Sequence, residues 1–225
     1  MYEGSKEKRY SKVRFKLNLC SKIYTYLIMT PERRERLLSV LNKRQAGLTV
    51  VLENVFDPHN ISAVLRTCDA VGIQDVYVLN TQTARRKRWG HKSSSSAAKW
   101  LTVHQFNDTA TCMAAVREKY DKIYTTHLAA DSKSLYEIDF TGSVALVFGN
   151  EQEGVSEEIR KLCDGNFIIP QVGIIKSLNI SVACAVSIYE AMRQKSIAGH
   201  YEQKNLPDAQ YNELLEEWGF QEEDM

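Results

Sequence analysis

Three places in this sequence concentrate groups able to do chemistry. They are Asn60 with Arg66, the segment 148–156 with Glu151, and the run 168–186 with Ser177, Asn179 and Ser181. An arginine inside an apolar stretch (Val64-Leu65-Arg66) requires an anionic partner, either a ligand phosphate or carboxylate or an internal acid. In Phe148-Gly149-Asn150-Glu151-Gln152-Glu153-Gly154-Val155-Ser156, two glycines let the backbone turn sharply around two carboxylates. Such carboxylates can accept hydrogen bonds from ribose hydroxyls or an amine. Ser177, Asn179 and Ser181 stand where a loop containing Pro170 and Gly173 opens into a long, nearly uncharged helix. Their hydroxyl and amide groups either cap that helix or hold something at its entrance.

These groups need a framework to bring them together. Residues 31–45 read as a helix, with Thr30 as N-cap, Pro31 at its first position and Gly47 as its C-cap. The unbroken apolar run 48–52 predicts a buried strand. A turn over 53–59 leads to a helix capped by Asn60, in which Ile61, Val64, Leu65, Cys68 and Val71 recur at helical spacing up to Gly72. Strands are predicted over 75–79, 100–106, 122–128, 144–148 and 167–169. A helix capped by Asp108 runs to Tyr120, and a short one starts at Ser156. Strand-helix alternation implies a parallel sheet covered by helices on both faces. Ligands of such sheets bind beyond the carboxyl ends of the strands, which selects the loops after Leu52, Leu128, Phe148 and Ile169. The helix from about residue 180 is apolar nearly all round and is expected to be buried.

Composition narrows the function classes. With a net charge of +1, affinity for nucleic acid must come from local charge, not bulk charge. The charge is indeed uneven: residues 1–28 carry seven Lys/Arg against two Glu, while 207–225 carry seven acids and no Lys or Arg. Five scattered cysteines without a CxxC pair argue against a disulfide framework or zinc ribbon and fit a reducing cytoplasm. The histidines form no metal-binding pattern, so no metal is expected. The apolar run 23–29 is too short to span a bilayer, and no membrane association is expected. Residues 1–28 read as a disordered basic arm or an over-long start before Met29. Residues 29–47 form an N-terminal helix, 48–195 one α/β domain, and 196–225 a helical tail.

The long segment 81–96 is basic and serine-rich. Arg85, Arg86, Lys87, Arg88 and Lys92 surround Trp89, so RNA contact competes there with a solvated loop. No GxGxxG and no P-loop follows the first strand, which excludes the usual dinucleotide and phosphate-loop folds. A nucleotide-like cofactor must therefore use the late loops.

In this order, the three segments resemble the signature motifs of the SpoU family of S-adenosylmethionine-dependent RNA ribose 2′-O-methyltransferases: NISAVLRTCDAVG (60–72), LVFGNEQEGVS (146–156) and IIPQVGIIKSLNISVACAVSIYE (168–190). The resemblance spans roughly 48–193. It implies a trefoil knot in the C-terminal part of the sheet, a homodimer, and S-adenosylmethionine held by Thr126, His127, Gly149, Ile169, Ser177, Leu178 and Asn179. Asn60, Arg66 and Glu151 match the family's catalytic or site-shaping positions. The leading helix and the tail resemble the branch that modifies guanosine 18 of tRNA. The competing readings are a ribose methyltransferase of ribosomal RNA or of the tRNA wobble position, and a non-catalytic RNA-binding knot protein. Gln152 and Gln171 depart from the residues common in the family at those places.

Overall fold

The computed structural model describes residues 29–82, 97–127, 132–150, 152–175 and 177–220. Its centre is a seven-stranded, wholly parallel sheet. The strands are β1 (Leu48–Glu53), β2 (Asp75–Leu79), β3 (Thr102–Phe106), β4 (Lys122–Thr126), β5 (Lys133–Ser134), β6 (Val144–Phe148) and β7 (Gly165–Ile168), in spatial order β3-β2-β1-β6-β4-β7-β5. The helices are α1 (Pro31–Asn42), α2 (Pro58–Ala70), α3 (Thr109–Lys119), α4 (Glu157–Arg160), α5 (Ile180–Ile197) and α6 (Asp208–Glu217).

Strand periodicity sorts the core into two layers. Leu48, Val50 and Leu52 of β1 face one side with Val76, Val78, Leu146 and Phe148. There they meet Ile61, Val64, Leu65 and Cys68 of α2 and Ile180, Cys184, Ile188 and Ala191 of α5. Val51 faces the other side with Tyr77, Ala145 and Val147, against Cys112, Met113 and Val116 of α3 and Ile159 of α4. A separate cluster joins Leu41 of α1 to Leu214 and Leu215 of α6, Trp218 and Phe220.

The arrangement of β7 governs everything near the site. It lies between β4 and β5, which follow one another in the chain. Thr126 of β4 and Lys133 of β5 both pair with Phe167, from opposite sides. The chain leaving β7 then returns to α5, which packs against α2. The strand order thus places β7 between two strands joined in sequence, in the C-terminal part of the sheet where the family resemblance implies a trefoil knot.

Three local expectations need correction. Helix α2 starts at Pro58, and its N-cap is Asp57, whose carboxylate accepts from the His59 N–H at 2.8 Å. Asn60 therefore sits within the first turn and is not the cap. Gly47 does not cap α1: the helix stops at Asn42, with Lys43 as the C-cap. Helix α5 is not buried all round either, because Val182, Tyr189 and Ile197 are 46%, 51% and 75% exposed. Asp108, Ser156 and Asn179 do cap their helices.

At the end of the sheet remote from the site, Lys195 of α5 is buried and donates to the Gly142 carbonyl at 2.7 Å. Burial lowers its ammonium to about 8 from the ordinary 10.5, with the Asp139 carboxylate opposing that fall. Between those two values the unfolded chain binds the proton that the folded chain has lost, so this group makes stability rise with pH. Urea unfolding of wild type and Lys195→Met at pH 7 and pH 10 should show wild type gaining on the variant as pH rises, by at most about 3 kcal/mol. A constant difference between the two proteins would contradict this account.

Candidate active site

Parallel register brings the selected loops to one edge. Leu52 pairs with Phe148, Thr125 with Val147, and Thr126 with Phe167. The carboxyl ends of β1, β6, β4 and β7 therefore stand level and side by side, across about 15 Å at ordinary strand spacing. Four segments emerge there: the start of α2, the exit of β4, the glycine loop after β6, and the stretch from Ile169 to Asn179.

The first and last of these are joined directly. Asn179 is the N-cap of α5; its Oδ1 accepts from the Ser181 N–H at 2.8 Å and from the Ser181 hydroxyl at 2.6 Å. Its Nδ2 donates to Asn60 Oδ1 at 3.1 Å. The sequence separates these asparagines by 119 positions, and the fold makes them partners. Because the Asn60 carbonyl oxygen accepts this bond, its amide nitrogen is turned away from Asn179. Arg66 lies further along α2 and is exposed, in contrast to Leu65 beside it, which is fully buried.

The exit of β4 is held in place by β7 and α4. Asn166 Nδ2 donates to the His127 carbonyl at 3.3 Å and to the Ser132 hydroxyl at 3.0 Å. Ser132 in turn donates to the same carbonyl at 2.8 Å. Arg160 of α4 contacts His127 Nε2 at 2.6 Å. A guanidinium only donates, so that ring nitrogen is the acceptor of this contact.

The loop after β6 folds tightly on itself. Asn150 Oδ1 accepts from the N–H groups of Gln152 and Glu153 at 2.9 and 2.7 Å, and the Gly154 N–H reaches the Asn150 carbonyl at 3.0 Å. A Cβ on Gly149 would lie 1.9 Å from the Gly154 carbonyl oxygen, so only glycine closes this turn. Gly154 itself has φ of +68°.

Thr126, His127 and Ile169 are half-buried on this edge, while Ser177, Leu178 and Asn179 are exposed. Apolar surface from Ile169 and Leu178 beside backbone and hydroxyl donors fits a nucleoside better than a bare phosphate. Glu151, the basic residues Arg85, Arg86, Lys87, Arg88 and Lys92, and Trp89 among them lie outside the described residues. Burial pushes the thiols of Cys112 and Cys163 up to about 12 and that of Cys184 well above its ordinary value. None of the three is a thiolate nucleophile at neutral pH. Among the described residues, no group of three or more His, Cys, Asp or Glu is placed to hold a metal ion, and no helix is long and apolar enough to cross a membrane. Sequence reasoning missed Ser132, Arg160 and Asn166, which act through the backbone and ring of His127 and carry no motif of their own.

Comparison with known proteins is consistent with this layout. Residues 47–189 match the model of the SpoU rRNA methylase family. The chain is 40% identical, over 84% of its length and 96% of the relative's, to a tRNA (guanosine(18)-2′-O)-methyltransferase of Thermus thermophilus. Among solved structures it resembles the TrmH/SpoU tRNA modifying enzyme of A. aeolicus, with a TM-score of 0.76 and 34% identity over 83% of this chain and 94% of that one. It also resembles the SpoU methyltransferase AviRb of Streptomyces viridochromogenes in complex with AdoMet, with a TM-score of 0.60 and 27% identity over 71% of this chain and 65% of that one.

The two roles of Asn179 can be separated. Asn179→Ser retains a capping oxygen but loses the amide donor to Asn60, whereas Asn179→Ala loses both. Thermal unfolding should show Asn179→Ala destabilised by about 1 kcal/mol and Asn179→Ser by much less. Methyl transfer should fall in both variants, because each removes the donor to the Asn60 carbonyl oxygen.

Proposed function

Because the chain belongs to the SpoU rRNA methylase family, we propose that it transfers a methyl group from S-adenosylmethionine to a ribose 2′-hydroxyl of tRNA, at guanosine 18 of the D-loop. The observation that carries the tRNA reading is the extent of the likeness to the Thermus thermophilus enzyme. That alignment takes in 189 residues, well beyond the segment 47–189 that defines the family. The likeness therefore extends beyond the central framework alone.

In this reading Thr126, His127, Gly149, Ile169, Ser177, Leu178 and Asn179 hold the cofactor along the level edge of β4, β6 and β7. S-adenosylmethionine, when bound, supplies a methyl group activated by its sulfonium. The chain must then present a ribose hydroxyl in line with that methyl and favour negative charge on its oxygen. Asn60, whose carbonyl oxygen accepts from Asn179, shapes the same edge from the first turn of α2. The Arg66 guanidinium offers hydrogen-bond donors and no acceptor. It acts by holding the phosphate next to the target ribose and stabilising the developing charge. Glu151 completes the site from the loop after β6. The basic segment with Arg85, Arg86, Lys87, Arg88, Trp89 and Lys92 supplies phosphate contacts and a stacking surface for RNA.

The protein works as a homodimer in this proposal. Val182, Tyr189 and Ile197 of α5, with Leu178 just before its N-cap, are exposed apolar side chains that a second copy would cover. Absence of a metal, a cytoplasmic location and free cysteines at positions 68, 112, 163 and 184 belong to the same reading.

The test is transfer of tritiated methyl from S-adenosylmethionine onto bulk tRNA and onto ribosomal RNA, followed by mapping of the modified nucleotide. Label at the ribose of guanosine 18 in tRNA is the expected result. Label confined to ribosomal RNA or the wobble position replaces the substrate, and cofactor binding without transfer to any RNA makes this a non-catalytic knot protein. Arg66→Ala should lower transfer about a hundredfold or more at saturating cofactor and tRNA. Near-normal turnover in that variant would remove Arg66 from the chemistry.

A further inference from the structure

Two adjacent residues at the carboxyl end of β1 stand outside the motifs, yet both are nearly buried and both bind loops from elsewhere. Glu53 is 3% exposed, and its Oε2 accepts the Ser156 N–H at 2.8 Å. Ser156 ends the glycine loop after β6 and caps α4, accepting from the Ile159 N–H at 3.3 Å. Asn54 is 4% exposed and has φ of +50°, a conformation that asparagine tolerates better than most residues. Its N–H donates to the Leu79 carbonyl at 2.8 Å, and its Oδ1 accepts the Thr81 N–H at 2.9 Å. The ring closes beyond Thr81, where Gln82 Nε2 donates to Glu153 Oε2 at 3.2 Å. The glycine loop is thus suspended at Ser156 by Glu53 and at Glu153 by the segment that Asn54 holds.

We propose that Glu53 and Asn54 are positioning residues for cofactor binding, fixing the height of the glycine loop against the edge of β4 and β7. This rests on the reading that the loop lines the S-adenosylmethionine site. Burial of a carboxylate is expensive without a strong donor, and a charged acceptor on a backbone N–H makes a strong tether. The left-handed turn at Asn54 swings the chain out of β1 and brings its amide onto the strand-exit backbone of β2. Neither residue touches the reacting atoms.

The test uses the full chain and measures S-adenosylmethionine affinity by calorimetry beside tRNA methylation kinetics. Glu53→Ala should weaken cofactor binding about tenfold, the worth of one bond to a charged group. Glu53→Gln, whose amide oxygen still accepts from Ser156, should remain within about threefold of wild type. Asn54→Gly keeps the backbone conformation and loses only the side-chain tether, so it should fold normally and still raise the KM for cofactor more than it lowers kcat. Exchange of the Ser156 amide proton should quicken in Glu53→Ala and not in Glu53→Gln. Wild-type affinity in Glu53→Ala, or equal damage from Gln and Ala, overturns the proposal. If Glu53→Ala does not fold, wild-type binding by Asn54→Gly overturns it instead. Failure of the wild-type chain to bind S-adenosylmethionine rejects the functional reading and the inference together. Binding without RNA methylation rejects the function alone.

Discussion

Phe167 is paired on one side by Thr126 and on the other by Lys133, two residues only seven positions apart in the chain. A strand inserted between two strands that are already neighbours in sequence is the constraint on which the rest of this structure depends. It sets the exits of β4 and β7 side by side. It gives Asn166 both ends of the β4–β5 connection to hold, and it sends the chain back to α5. The bond between Asn60 and Asn179 follows from that return. Without it, the first and third motifs would lie on separate parts of the molecule.

A second set of contacts fixes α2, the helix that carries Asn60 and Arg66. Arg44 is fully buried, and it donates to Asp69 Oδ1 at 2.6 Å, the Ile73 carbonyl at 3.1 Å and the Trp100 carbonyl at 3.4 Å. Its guanidinium lies 5.5 Å from the centre of the Trp218 ring. Asp69 is one turn from Arg66, so the end of α2 is tied to the chain after α1 and to the C-terminal tail. Tyr201 adds a bond to the Val71 carbonyl at 2.7 Å. The peripheral helices therefore do more than enclose the core: they hold the C-terminal end of the helix that presents the arginine.

Much of this was legible in the residues, and the failures have physical causes. The run over β1 read as a buried strand because parallel strands covered on both faces lack alternation, and β2 and β6 were legible as strands. Asp108, Ser156 and Asn179 were readable as caps because each precedes a helical pattern. Asn60 was misplaced because it too stands before a periodic run, although Asp57-Pro58 three positions earlier already carried the stronger start signal. The exposed apolar side chains of α5 were hidden by a composition that is apolar on every side; sequence shows what a helix can bury, not which face its own chain covers. Arg44 carried no signal of its burial, since its partners come from the end of α2, from Trp100 and from Trp218. Glu53 and Asn54 read as the beginning of a turn, and the loops they hold are separated from them by as many as 103 positions. Contacts between segments so far apart leave no periodic trace. The threading itself was reached through family resemblance, because strand periodicity carries no information about the path between strands.

The position of α5 also has a consequence for the order of biosynthesis. Ile61, Val64 and Leu65 of α2 pack in the cluster that Ile180, Ile188 and Ala191 complete. A nascent chain emerging from its N-terminus offers this surface long before the covering helix has been made. β7 and its exit cannot be inserted until β4 and β5 exist, and α5 cannot dock until that insertion has occurred. Contacts of such large sequence separation form slowly. The half-made protein therefore exposes an apolar patch on the very helix that later carries the arginine, which makes the final steps of assembly the interval most open to aggregation and to chaperone binding.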